Sequence, residues 1–137
     1  IEAASGGGNN YLYGGEGDDL FILSSSDRAF GGSGNDQIMF TTGGDHLVSG
    51  GEGNDDYRIA SGEIPTSLNT IIDFIPSVDQ ITFIGFADLD FTNVVLSSDG
   101  TDTLIGLDSL DNDLFRLQGV SVNSLSETDF NFSAEVT

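Results

Sequence analysis

Between residues 14 and 58, large hydrophobic residues recur near the end of a phrase that opens with glycine and aspartate. The phrase is nine residues long and occurs three times, as GGEGDDLFI (14–22), GGSGNDQIM (31–39) and GGEGNDDYR (50–58). Its hydrophobic residue is Phe21, Ile38 or Tyr57. Glycine reaches positive φ without steric cost, so the first six positions predict a turn. The last three positions suffice for a very short strand with one inward side chain.

Weaker copies of the phrase lie beside and between the three good ones. They cover 5–13 (SGGGNNYLY), 23–30 (LSSSDRAF) and 40–48 (FTTGGDHLV), and they offer Asn10, Asp27 and Asp45 near the position of the aspartate. The good copies start at residues 14, 31 and 50, so they lie 17 and 19 residues apart, close to two nonapeptides. This alternation predicts a parallel coil with two turns and two short strands per lap. The expected inward side chains are Leu12, Phe21, Ala29, Ile38, Leu47 and Tyr57.

After residue 60 the hydrophobic residues form short runs bounded by turn residues, which predicts further strands. Asp99-Gly100, between two of these runs, predicts a hairpin, and residues 124–129 predict one helical turn with Ser126 as a cap. The predicted strands are Thr70–Phe74, Gln80–Ile84, Phe91–Leu96, Thr103–Leu107, Leu114–Leu117 and Phe130–Phe132. We therefore predict an all-β chain, with a parallel β-roll over 1–60 and a β-rich C-terminal cap over 61–137.

The aspartates of the three good turns predict a metal site. Stacked laps lie about 4.8 Å apart, so Asp19, Asp36 and Asp55 would form a column. Two carboxylates about 5 Å apart repel by roughly 3 kcal/mol at an effective dielectric of about 20. Carboxylates and turn carbonyls are the hard oxygen ligands that Ca²⁺ takes in a flexible geometry, six to eight at a time. Zinc would require His or Cys, and the chain has one His and no Cys.

Composition narrows the classes of partner. The net charge is −20, from 3 basic and 23 acidic residues, which disfavours a nucleic acid or an anionic membrane as partner. A hydrophobic content of 37% with ten Phe argues for a folded domain rather than a disordered acidic chain. No apolar run approaches the roughly 20 residues of a membrane span. Because the chain has no Cys to form disulfides, we expect bound calcium to stabilise the domain instead.

Catalytic motifs are not apparent. A protease-type zinc site needs several histidines, and His46 is the only one, so we interpret it as a surface residue at the start of a weak strand. The sequence has no G-x-S-x-G elbow, and its glycine phrases lack the Lys of a phosphate-binding loop. We predict that the chain is not itself an enzyme.

The three good phrases fit G-G-x-G-x-D-x-U-x, with U a large apolar residue, and so resemble the nonapeptide repeats of the RTX family of calcium-binding parallel β-rolls. The resemblance implies one ion between the first two good turns, held by Gly15, Gly17 and Asp19 with Gly31, Ser33 and Asp36. It implies a second ion held by Gly32, Gly34 and Asp36 with Gly50, Glu52 and Asp55. The opposite column departs from the pattern, although Asp27 and Asp45 offer ligands for a further ion.

The resemblance extends into the second half. Residues 69–83 (NTIIDFIPSVDQITF) and 117–132 (LQGVSVNSLSETDFNF) are similar to the C-terminal regions of secreted RTX metalloproteases, and the first also to alginate epimerase repeat modules. In the protease relatives, acidic residues at the positions of Asn69 and Asp79 hold another calcium, so the implied count is two to four ions. Asn69 replaces the usual Asp and would ligate more weakly.

These features predict a calcium-induced folding and stability module at the C-terminus of a longer exported bacterial protein, located outside the cell or on its surface. The resemblance implies export by type I secretion, with an uncleaved signal within roughly 114–137, and an upstream domain as partner. The alternative is a calcium-dependent carbohydrate-binding or adhesion module. Three Arg and no Lys argue against an acidic glycan, which leaves neutral or calcium-bridged glycans as ligands.

Overall fold

The computed structural model describes residues 2–4 and 9–133, and this part of the chain is almost entirely β-structure. It contains thirteen short strands and three single-turn 3₁₀ helices. None of the described helices is long and apolar enough to cross a membrane. The end of the predicted secretion signal, residues 134–137, lies outside the described residues.

Successive strands of the repeat region alternate between two parallel sheets. Odd-numbered strands pair with one another in the first sheet, and even-numbered strands pair in the second. One lap therefore contributes one strand to each sheet, as the repeat spacing predicts. The strands are β1 (Glu2–Ala4), β2 (Tyr11–Tyr13), β3 (Leu20–Ser25), β4 (Arg28–Phe30), β5 (Gln37–Gly44), β6 (Leu47–Ser49) and β7 (Asp56–Ala60).

Both sheets continue beyond the repeats. The first sheet has the order β1-β3-β5-β7-β9-β13, and the second has the order β10-β11-β12-β8-β6-β4-β2. All pairings are parallel except β10 with β11 and β11 with β12. The added strands are β8 (Asn69–Ile71), β9 (Gln80–Ile84), β10 (Val94–Asp99), β11 (Asp102–Leu107), β12 (Phe115–Leu117) and β13 (Phe130–Ser133).

Most of the strands predicted after residue 60 are confirmed, with shifted ends. The strand at Gln80–Ile84 has the predicted bounds, and the Asp99-Gly100 hairpin joins β10 to β11. The predicted strand at 91–96 instead begins with a 3₁₀ turn, because Asp90 caps the Thr92 N–H. The predicted helical turn is the 3₁₀ helix Glu127–Asp129, which Ser126 precedes as N-cap.

The core lies between the two sheets and is richer than the sequence predicts. Phe21, Ile38 and Tyr57 are buried as expected. A second inward position two residues later adds Leu23, Phe40 and Ile59, since β3, β5 and β7 are longer than three residues. One buried cluster extends from these side chains to Phe115 and Phe130.

The prediction of Leu47 as an inward residue is wrong. Leu47 is half-buried and Val48 is buried instead, so the weak copy at 40–48 is out of register by one residue. The pairing of β3 with β5 explains the shift: Leu23 pairs with Phe40, but Ser25 pairs with Gly44. Two extra residues are thus accommodated within residues 41–43, which makes the second interval 19 residues rather than 17.

Candidate metal centre

The aspartates of the glycine turns form a hydrogen-bonded ladder on one side of the molecule. The Asp19 N–H donates to Asp36 Oδ1 (2.8 Å), and the Asp36 N–H donates to Asp55 Oδ1 (3.0 Å). The Asp55 N–H continues the series to Asp79 Oδ1 (3.0 Å). All four residues are buried, with at most 3% of their surface exposed. The structure therefore places Asp19, Asp36 and Asp55 in the predicted column and adds Asp79 as a fourth rung.

The second carboxylate oxygen of Asp36 and Asp55 makes no hydrogen bond within the described residues, although it is buried. A buried carboxylate oxygen without a partner is costly, so each of these atoms calls for a positive charge or a donor. The arrangement fits a bound cation.

The first glycine of each of the first two good turns lies against the oxygen atoms that a cation would join. A Cβ on Gly14 would overlap Asp19 Oδ2 and the carbonyl oxygen of Gly31. A Cβ on Gly31 would overlap Asp36 Oδ2 and the carbonyl oxygen of Gly50. We call these places the Gly14 corner and the Gly31 corner. Each brings an aspartate oxygen of one turn close to a carbonyl oxygen of the next, which is the pairing expected for the predicted ions.

The other glycines stack the turns closely. Gly34 has φ +109°, and a Cβ there would overlap the Gly17 carbonyl oxygen. Gly32 has φ +90° and lies in the same way against Gly15. The predicted carbonyl ligands of Gly15 and Gly32 already accept amide hydrogens, from Ser33 (3.0 Å) and Glu52 (2.9 Å). Each retains a second lone pair for a metal ion.

Burial makes Asp36, Asp55 and Asp79 difficult to ionise without a cation. Desolvation is the main cause that raises the pKa of Asp36 to about 6 and that of Asp55 to about 7, and neighbouring aspartates add to both shifts. Desolvation also raises the pKa of Asp79. A divalent cation would favour the ionised forms and reverse this penalty.

The opposite side of the molecule has a ladder of different chemistry. The Asn10 N–H donates to Asp27 Oδ1 (3.0 Å), and the Asp27 N–H donates to His46 Nδ1 (3.0 Å). The His46 N–H then donates to Asn69 Oδ1 (3.2 Å), and the Asn69 amide donates to the Leu114 carbonyl (3.1 Å). This ladder carries one carboxylate where the first carries four, so it offers fewer ligands for Ca²⁺.

The interpretation of His46 as a surface residue is wrong. His46 is 2% exposed and packs against Phe40, with ring centroids 5.8 Å apart. His46, rather than Asp45, follows Asp27 in this ladder because the two extra residues in β5 lengthen this lap from 17 to 19 residues. Asp45, a predicted ligand, lies next to that position: it is exposed, has φ +60° and accepts a hydrogen bond from Ser26 Oγ (3.3 Å). Burial lowers the pKa of His46.

Asn69 and Asp79, the two residues predicted for a further ion, lie in different ladders. Asp79 is held by backbone donors, since its Oδ2 accepts the Ile75 N–H (2.9 Å) in addition to the Asp55 N–H on Oδ1.

The sequence did not predict the role of Asp73. Its carboxylate accepts hydrogen bonds from Gly50 N–H (3.1 Å), Gly51 N–H (2.9 Å) and Ser49 Oγ (2.6 Å).

Within the described residues, no group of three or more His, Cys, Asp or Glu side chains converges on one point. Side chains alone therefore do not form a metal cage here. At the Gly14 and Gly31 corners, one carboxylate oxygen lies close to one backbone carbonyl oxygen. That donor set suits Ca²⁺, which accepts main-chain oxygens, better than Zn²⁺.

No protein-family model matches the chain, and no curated protein matches it either. Its structure is similar to the solution structure of the AlgE6R3 subunit from the Azotobacter vinelandii mannuronan C5-epimerase, with a TM-score of 0.60 and 26% identity over 89% of this chain and 78% of that chain. The crystal structure of extracellular lipase LipA from Serratia marcescens aligns with a TM-score of 0.44 and 19% identity, over 93% of this chain and 20% of that chain. The likeness to the epimerase subunit covers most of the chain and supports a β-rich fold with parallel sheets.

Proposed function

We propose that this chain is a non-catalytic calcium-binding module of an exported protein, and that Ca²⁺ stabilises or induces its fold. The observation that carries the proposal is the pair of buried oxygens, Asp36 Oδ2 and Asp55 Oδ2, that lack a hydrogen-bond partner in the described chain. Similarity to the subunit of a mannuronan C5-epimerase supports a modular role. An upstream domain of the same polypeptide belongs to the proposal. Transport by type I secretion machinery belongs to the same proposal.

The concentration range of calcium outside cells suits such a role. Extracellular modules bind calcium with dissociation constants of about 10⁻⁴ to 10⁻³ M. At ten times that concentration, each independent site adds about 1.4 kcal/mol to the folded state. Two sites add about 3 kcal/mol, a large share of the stability of a marginal domain.

Circular dichroism tests the proposal. Chelator-treated protein is titrated with Ca²⁺ and, in a parallel series at matched ionic strength, with Mg²⁺. We expect a cooperative gain in β-sheet signal or thermal midpoint with Ca²⁺ and little change with Mg²⁺, which demands tighter octahedral geometry. Equal responses to the two ions, or no response to either, would overturn the proposal.

A second candidate function, binding of a neutral carbohydrate, rests on an exposed aromatic face. Tyr11 and Tyr13 are 69% and 67% exposed, and Tyr13 stacks on Phe30 with centroids 5.2 Å apart. Arg28, opposite Tyr11 in the strand pairing, lines a groove of about 130 Å³ beside it. Flat exposed rings next to polar donors suit a sugar ring. Retention of the wild type but not of Tyr11→Ala on an immobilised neutral polysaccharide, with and without Ca²⁺, is the expected result. Equal retention of both would refute it.

A further inference from the structure

The first two glycine turns are held on one side by the main chain of the following lap. The N–H of the first glycine donates to a carbonyl at the end of the next strand of the second sheet. These pairs are Gly14 to Phe30 (2.9 Å) and Gly31 to Ser49 (2.8 Å). The third turn differs, because the N–H of Gly50 donates to two side chains, the Asp73 carboxylate (3.1 Å) and the Tyr57 hydroxyl (3.0 Å).

Asp73 lies two residues beyond the end of β8, the strand that pairs with β6. Its Oδ1 accepts the Gly50 N–H, and its Oδ2 accepts the Gly51 N–H (2.9 Å) and the Ser49 hydroxyl (2.6 Å). One carboxylate thus holds three consecutive residues at the start of the third turn. It does for this turn what the main chain of the following lap does for the first two.

The peptide group between Gly50 and Gly51 connects Asp73 to the Gly31 corner. Its N–H belongs to Gly51 and donates to Asp73, while its C=O is the Gly50 carbonyl that lies beside the Asp36 carboxylate at that corner. This peptide group is trans, so it is planar and its N–H and C=O point in opposite directions. Asp73 therefore fixes the direction of the Gly50 carbonyl from the opposite side of the peptide group.

We infer that Asp73 is a positioning residue for the calcium ion at the Gly31 corner. The inference rests on the proposed function, in which Gly50 and Asp36 are ligands of that ion. By accepting the Gly51 N–H, the carboxylate also polarises the peptide group and increases the negative charge on the Gly50 carbonyl oxygen. Partners that hydrogen-bond to metal ligands typically change metal affinity by about 10- to 100-fold.

The contacts of Asp73 make its effect specific to one ion. Within the described chain, its carboxylate accepts hydrogen bonds from residues 49–51. The carbonyl at the Gly14 corner belongs to Gly31, in the turn that is held by the Ser49 carbonyl instead. Loss of the Asp73 carboxylate should therefore weaken the ion at the Gly31 corner and spare the ion at the Gly14 corner.

The test is equilibrium binding of radioactive calcium to the full chain by dialysis. Asp73→Ala is expected to raise one dissociation constant by about 10- to 100-fold and to leave the remaining constants within about threefold of the wild type. Asp73→Asn keeps an amide oxygen that can accept the Gly51 N–H, so its effect should lie between those of the wild type and Asp73→Ala. This second variant also carries the test if Asp73→Ala does not fold.

Asp102→Ala is the matched control for loss of fold stability. Asp102 also accepts a glycine N–H, from Gly119 (2.8 Å), and it pairs with Arg116 (3.0 Å), but it lies in the hairpin of β10 and β11. The ratio between the calcium dissociation constants is expected to change in the Asp73 variants and to stay at the wild-type value in Asp102→Ala.

Equal changes of that ratio in Asp73→Ala and Asp102→Ala would show that Asp73 serves fold stability alone, and would overturn the inference. Unchanged constants in both Asp73 variants would also overturn it. Loss of one bound ion at about a thousand times the wild-type dissociation constant would make Asp73 a direct ligand, which again contradicts the inference. A wild type that binds no calcium would instead refute the proposed function.

Discussion

Asp36 is the residue whose replacement tests the calcium column most sharply. It belongs to both proposed ion sites, and its two carboxylate oxygens have different surroundings. Oδ1 accepts the Asp19 N–H (2.8 Å), while Oδ2 is buried at the Gly31 corner without a hydrogen-bond partner. In Asp36→Asn, an amide oxygen can keep the Oδ1 hydrogen bond, but the charge and the second ligand oxygen are lost.

The expected effect changes sign with calcium. At ten times the dissociation constant, two sites contribute about 3 kcal/mol, so loss of both lowers the thermal midpoint by about 10 °C for a domain of this size. In chelator the substitution removes a buried carboxylate whose pKa is raised to about 6 by desolvation. The chelated variant should therefore be as stable as the wild type or more stable.

The assay is thermal unfolding of the wild type and the variant, followed by circular dichroism in chelator and in saturating Ca²⁺. Asp18→Asn is the matched control. Asp18 is the neighbour of a column residue and accepts the Asn35 N–H (2.7 Å), and the next two turns carry Asn35 and Asn54 at its position. Equal losses of thermal stability in the two variants would refute calcium binding in the aspartate column. So would an equal loss of stability for Asp36→Asn with and without calcium.

Two further predictions concern protons and glycine. The pKa of Asp36 is raised to about 6 and that of Asp55 to about 7, so the folded state without calcium binds protons more tightly than the unfolded chain. The stability of the calcium-free folded state should fall as pH rises from about 4 to about 7, while calcium affinity rises over the same range. A thermal midpoint in metal-free buffer that stays constant or rises with pH would contradict this. Gly34→Ala should destabilise by about 2 kcal/mol or more, because φ is +109° and the new Cβ would overlap the Gly17 carbonyl. Gly62→Ala, which meets no atom within 4 Å, is the control in urea unfolding, and equal midpoints for the two variants would exclude close stacking at Gly34.

The repeat period predicted most of what positions the candidate site. Glycine and aspartate at fixed places in three phrases were enough to stack Asp19, Asp36 and Asp55, because turn chemistry is local. The strand at Gln80–Ile84 was likewise readable from its apolar run. The division into a roll over 1–60 and a cap over 61–137 stays a prediction, since both sheets and one buried cluster run across residue 60.

The weak copies were less predictable, for a physical reason. A lap can lengthen by two residues at an irregularity in the strand pairing and still return to register, and nothing in FTTGGDHLV shows where the extra residues lie. That choice decides whether Asp45 or His46 occupies the rung. The role of Asp73 was also hidden, because it depends on which groups meet at the last glycine turn rather than on any spacing.

The fourth rung of the ladder ties the two halves of the chain together. The Asp55 N–H donates to Asp79, which is 24 residues further along, and β7 pairs with β9 over five residues. If Ca²⁺ binds at the glycine turns as proposed, its binding free energy also stabilises β9, which holds none of the proposed ligands. A protease would then cleave the calcium-bound chain more slowly than the calcium-free chain on both sides of residue 60.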